Sequence, residues 1–218
     1  MMMRSRSPIT RLRRLARRDD GMTLVEVIIA TSLLGIVSLV FTTVLASVQN
    51  AVVAQDVRTE LNDQSRLALA DLDRQVRSGN LLYNPSSETG TIDPFGVAAS
   101  GYMFRVYTQV KFAGTDDPRC SLWAIDDEEQ LLYRWWPVLD PDAATDWRVV
   151  TDGVVNRSVG TPAFVLDATG RTVTVTIKAN ADYAHDPTAT QTFTESLTGR
   201  NTSFGYPSDV CSDLPSDM

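Results

Sequence analysis

The chain has 218 residues, 43% of them hydrophobic and 22% charged. That is enough for one ordinary domain with an appendage, and the composition argues against a disordered, collagen-like or polytopic membrane protein. The net charge of −7 is unevenly placed: seven arginines precede Gly21, opposed there only by Asp19 and Asp20, and the residues after Gly21 carry 13 basic against 25 acidic side chains, a net −12. So acidic a remainder argues against nucleic acid as a partner, because nonspecific binding rests on neutralising phosphates with Lys and Arg.

Residues 22–48 contain no proline and a single charge, Glu26, and the next charged residue is Asp56. As a helix at about 1.5 Å per residue this run is roughly 40 Å long, against a hydrocarbon core of about 30 Å. It spans a bilayer once. The arginines ahead of it predict a cytoplasmic N-terminus and an extracytoplasmic remainder. A conventional cleaved signal has a shorter apolar core, about 7 to 15 residues, although Leu45-Ala46-Ser47 resembles a cleavage site. An ordinary anchor has no reason to carry a carboxylate, which costs about 2.5 to 3.5 kcal/mol at the bilayer centre and less near the interface. Cleavage between Gly21 and Met22 supplies a partner: a new α-amine, protonated below about pH 7.7 to 8.0, one helical turn from Glu26 of its own chain or a neighbour's.

The string DDGMTLVEVIIATSLLG resembles the prepilin signature of type IV pilins and type II secretion pseudopilins. That signature is a basic leader, a glycine, and a mature helix whose fifth residue is glutamate; counted from Met22, Glu26 is fifth. The chain differs in having Met22 where phenylalanine is usual and Asp19-Asp20 where a basic residue is common. The resemblance implies that prepilin peptidase cuts after Gly21 and methylates the amine of Met22. It further implies that Glu26 neutralises the amine of an adjacent subunit and sets register in assembly. The partners so implied are the peptidase, other pilin or pseudopilin subunits and the membrane: the inner (cytoplasmic) membrane first, then a pilus or pseudopilus. On this reading residues 1–21 are a cleaved cytoplasmic leader and 22–48 the transmembrane and filament-core half of a helix.

Residues 49–78 continue that helix in amphipathic form, with Val53, Val57, Leu61, Ala68, Leu72 and Val76 on one stripe, Leu69 beside it and Ser65 interrupting it. Ser78-Gly79 is the stop. The run LALADLDRQVRSGNLLYNP is similar to the end of the long helix in W-type minor pilins and J-type pseudopilins.

From residue 79 to 218 the period changes from 3.6 to 2. Strands are expected over 102–112, 120–125, 130–136, 147–151, 163–166, 171–179 and 190–197, with hairpin turns at Asp126-Asp127-Glu128-Glu129 and at Asp167-Ala168-Thr169-Gly170. The expected fold is α+β, a long helix packed on an antiparallel sheet, as in pilins. The closing strands, ending in Arg200-Asn201, also resemble those of the pilin subfamilies.

Chemistry is sparse. His185, the only histidine, sits in a loop beside Asp182 and Asp186 without a phosphate loop, zinc spacing or nucleophile motif. The chain is expected to be no enzyme, with no cofactor, no metal and no small-molecule substrate. Acidic clusters at Asp116-Asp117, Asp126 to Glu129, Asp140 and Asp142, and Asp209, Asp213 and Asp217 offer oxygen ligands of the kind Ca²⁺ takes, but none has EF-hand spacing, and turn chemistry accounts for them equally well. Cys120 and Cys211, the only cysteines, lie in a part expected outside the membrane, where a disulfide is permitted; free thiols are the alternative. Trp135 and Trp136 point to opposite faces of a strand, one into the core and the other under the helix or on a contact surface, a carbohydrate or adhesion surface included. Two other functional classes compete with a filament subunit. One is a membrane-anchored adhesin that keeps its leader and does not polymerise; the other is an extracytoplasmic enzyme using His185.

Overall fold

The computed structural model describes residues 21–88, 90–92, 96–98, 100–112, 115–199, 202 and 205–216, with backbone alone at 90–92, 96–98, 110–112 and 115–116. The leader up to Asp20, the Arg200-Asn201 pair and Asp217 lie outside the described residues, as does the side chain of Asp116. The chain divides into two compact units between Val53 and Ala54.

A helix, α1 (Leu24–Ser78), starts in the first unit. Thr23 caps it: its side-chain oxygen accepts the Glu26 N–H at 3.3 Å, and its carbonyl accepts the N–H groups of Glu26 and Val27. Every described residue up to Val53 is exposed, and the most apolar window of α1 has a mean hydropathy of 2.4 with none of it buried. The hydroxyls of Thr31, Ser32, Thr42, Thr43 and Ser47 donate back to carbonyls three or four residues earlier, so they present no unpaired donor to an apolar surrounding.

In the second unit α1 buries Ser65, Ala68, Leu69, Leu72 and Val76. The stripe expected from Val53 is corrected at both ends of its first half: Val53 and Val57 remain 63% and 43% exposed, and Ser65 lies within the buried face rather than interrupting it. A small side chain permits close approach of helix and sheet there. The helix ends at Gly79, where an added Cβ would lie 2.8 Å from Val106. Only glycine lets the chain turn this tightly against the neighbouring strand.

Among the described residues ten strands follow: β1 (Leu81–Leu82), β2 (Gly90–Ile92), β3 (Gly96–Ala98), β4 (Met103–Phe112), β5 (Thr115–Ile125), β6 (Leu131–Pro137), β7 (Arg148–Thr151), β8 (Phe164–Leu166), β9 (Thr172–Ala179) and β10 (Gln191–Thr198). All pairings are antiparallel, and the architecture is α+β and pilin-like. Where the sequence reading has one sheet, the strands form a five-stranded sheet in the order β1-β4-β5-β6-β7, a three-stranded sheet β10-β9-β8 and a small β2-β3 hairpin. β1 to β3 are too short to carry a periodic signal. β5 starts earlier than expected and passes through Pro118, which pairs with Gln109 on β4; β6 ends at Pro137 opposite Arg119, so no partner on that side needs the missing N–H.

The five-stranded sheet is covered on both faces. Phe104, Val106, Trp123, Ile125 and Leu131 meet the helix stripe and, from the three-stranded sheet, Phe164, Val173, Val175 and Ile177. On the opposite face Met103, Tyr107, Cys120, Leu122, Ala124 and Trp136 pack beneath Val138, Trp147, Tyr206, Val210 and Cys211. Arg105 and Tyr107 alternate with Phe104 and Val106 along β4, and the C-terminal segment closes over them, leaving Tyr107 5% exposed.

Candidate functional site

The residues singled out for processing and assembly stand together at the start of α1. Gly21 and Met22 are exposed, and an added Cβ at Gly21 meets no atom within 4 Å. Nothing in the packing of the described residues asks for glycine there. Glu26 lies in the first turn of α1, where a carboxylate is favoured by the helix dipole, and its side chain makes no hydrogen bond or ion pair among the described residues. Thr23 joins the site from the structure, although Thr23-Leu24-Val25-Glu26 has the spacing of a capping box. Its cap settles the first turn through backbone groups.

The remaining candidates are scattered through the second unit. Cys120 and Cys211 are joined in a disulfide, Cα to Cα 5.9 Å, across 91 residues of sequence. His185 pairs with Asp182 at 2.5 Å on an open surface, and this carboxylate raises its pKa. The acidic quartet does not converge on a point. Asp126 is buried and one of its oxygens accepts the N–H groups of Glu128 and Gln130 at 3.0 and 2.7 Å; Asp127 pairs with Arg157, and Glu129 accepts from Ser158. Burial pushes the Asp126 carboxyl up, against the pull of those two N–H groups. Among the described residues no group of three or more His, Cys, Asp or Glu is arranged to hold a metal ion. Trp136 is fully buried, while Trp135 lies part-exposed under the Arg119 guanidinium, 4.1 Å from its ring centroid.

Residues 16–42 match a family model described as the prokaryotic N-terminal methylation motif. For this N-terminal segment the match supports the type IV pilin and pseudopilin family. The match takes in Gly21, Met22, Thr23 and Glu26 and the first part of α1. No curated protein and no solved structure matches the chain. The motif implies processing by prepilin peptidase and assembly with other pilin subunits in general terms, and with the apolar helix it points to membrane anchoring.

Proposed function

We propose that the chain is a minor pilin or pseudopilin, a noncatalytic structural subunit cleaved after Gly21, methylated at Met22 and placed by Glu26 in a type IV pilus or related filament. The observation that carries this reading is the coincidence of the methylation motif over residues 16–42 with an exposed apolar helix starting at Leu24. Two details support it. The glycine at 21 answers no packing demand of the described residues, as befits a residue read by another protein. Glu26 has no partner among the described residues, so its charge is available to a neighbouring subunit's amine. The similarity of the run LALADLDRQVRSGNLLYNP to W-type minor pilins and J-type pseudopilins supports that subclass. The chain's place is the inner membrane with the head outside, and then the filament.

The test is the mass of the N-terminal peptide from membranes of the native host, for wild type and Gly21→Ala. A wild-type peptide beginning at methylated Met22, abolished in the variant, is expected. An intact leader in both would sink the proposal in favour of an anchored protein that does not polymerise.

A further inference from the structure

Beside the last turns of α1, the face of the five-stranded sheet that carries the helix holds a recess of about 240 Å³. Thr108 and Ser121 lie deepest, 9% and 4% exposed; Tyr133 and Trp135 line it from β6, and Arg74 and Arg119 bring charge to it. Among the described residues no Asp or Glu lines it, although the residues after Gly21 carry a net −12. Asp71 and Asp117 stand outside it, Asp71 pairing with Arg74 and Arg148 and Asp117 holding part of the Arg119 guanidinium.

The recess is rich in donors without acceptors. The Thr108 hydroxyl is buried with no partner among the described residues. Among the described residues the Ser121 hydroxyl reaches only the Val106 carbonyl, at 3.4 Å. Tyr133 accepts from Gln75 at 2.9 Å, which leaves its own proton to give. Arg119 spends Nε and Nη2 on Asp117 and keeps Nη1, and its stacking on Trp135 fixes the fork. A buried hydroxyl without a partner costs stability, so an incoming acceptor gains there what the fold forgoes.

A ligand that suits this lining is small, rich in acceptors, anionic, and apolar enough on one side to lie against aromatic rings. Sites for drug-sized ligands run from about 300 to 1,000 Å³, so this one takes a single ring. We propose that the recess binds one acidic sugar, with its carboxylate on Arg119 and Arg74, its hydroxyls on Thr108, Ser121 and Tyr133, and its ring against the Tyr133 and Trp135 wall. An inorganic anion would leave the aromatic wall unused, and a neutral sugar would leave the arginines unused.

The test uses the full mature chain in a zwitterionic detergent without a sugar headgroup, at constant ionic strength. Glucuronate, glucose, acetate and aspartate are titrated and binding is read by ligand-observed saturation-transfer NMR. Glucuronate is expected to saturate, with each of the others at least about tenfold weaker. Thr108→Val is expected to weaken glucuronate about tenfold without lowering the melting temperature, since the hydroxyl has no partner to lose. Arg119→Gln is expected to remove most of the preference for glucuronate over glucose. The proposal is overturned by absence of saturable glucuronate binding up to roughly 50 mM, a free energy near the weak limit of specific recognition. It is equally overturned by acetate or aspartate binding as well as glucuronate, which would make this a general carboxylate site, or by unchanged affinity in a folded Thr108→Val variant.

Discussion

The Cys211 N–H donates to the Tyr83 hydroxyl at 3.0 Å, which ties the C-terminal segment to the chain just after β1. Arg105 reinforces the tie: it lies 4.2 Å over the Tyr83 ring, donates to the Cys211 carbonyl, and pairs with Glu88 at 2.8 Å. Tyr206 adds a second anchor, donating to Gln109 and accepting from Asn80. A polar tail is thus held over an apolar sheet face by a few directed contacts and one disulfide.

Removing the disulfide should therefore cost much. Closing a loop of 91 residues is worth about 4 to 5 kcal/mol in the loop-entropy description. The Cys120→Ser/Cys211→Ser variant is expected to lose stability of that order in denaturant titration. It should also bind a hydrophobic dye as Tyr107, Leu122 and Trp136 become accessible. Arg105→Leu strands the Glu88 carboxylate, 12% exposed, and should cost about 3 to 5 kcal/mol. Because both changes loosen one segment, their effects should add to less than the sum. Strict additivity would show that the tail does not dock as a unit.

Asp126 makes stability fall with rising pH. One of its oxygens accepts two backbone N–H groups and the other is buried without a partner among the described residues. Burial is the largest influence and raises its pKa; Glu128 pushes the same way, while the N–H groups and Arg157 oppose it. A carboxyl with a raised folded-state pKa binds more protons folded than unfolded, so stability declines as pH climbs from the ordinary carboxylate range to the raised value, and is level beyond. Asp126→Asn keeps the acceptor for Glu128 and Gln130 and removes the charge. It is expected to be more stable than wild type at pH 7, by about 1 kcal/mol, and to lose this advantage in acid. An equal pH dependence for the two proteins, by thermal melts from acid to neutral, would rule the account out.

The helix, the α+β class and the main strands are legible in the sequence because their periods are strong: Val173, Val175 and Ile177 alternate with threonines that pair across the strands with Thr194, Ser196 and Thr198. What alternation cannot tell is what covers the other face. Tyr107 and Arg105 alternate with Phe104 and Val106, and nothing in that alternation announces the distant polar segment that docks over them. Asp126 is a similar case, a turn carboxylate by type yet 1% exposed by position. The motif around Gly21 and Glu26 was legible as chemistry, since a charge in an apolar run needs a reason. The recess beside Trp135 was not, since it joins Arg74 on the helix to Thr108, Arg119 and Tyr133 on three strands.

The two adjacent tryptophans separate packing from surface. Trp136 is fully buried in the cluster beneath the C-terminal segment, while Trp135 is stacked under Arg119 on the opposite face. Trp136→Ala should cost about 3 to 5 kcal/mol through lost burial and the cavity left behind. Trp135→Ala forfeits a partly exposed cation–π contact of about 0.5 to 1 kcal/mol. Equal losses in melting temperature would mean that both rings are core.

Thr23 and Glu26 divide the start of α1 into a folding residue and an assembly residue. Thr23 supplies the side-chain cap on the Glu26 N–H at 3.3 Å, and Thr23→Ala should cost about 1 kcal/mol of helix stability, read as faster amide exchange over the first turn. Glu26→Gln keeps the helical backbone and a side chain of the same shape, and no contact of the Glu26 carboxylate among the described residues is lost. It should therefore leave the melting of the head and the exchange of the first turn unchanged. If Glu26 pairs with a neighbour's amine in the membrane, where an unpaired charge is costly, the same variant should be found in membranes and missing from sheared filaments. Normal incorporation of Glu26→Gln would remove the carboxylate from the assembly step, and a head that melts lower would give it a folding role instead.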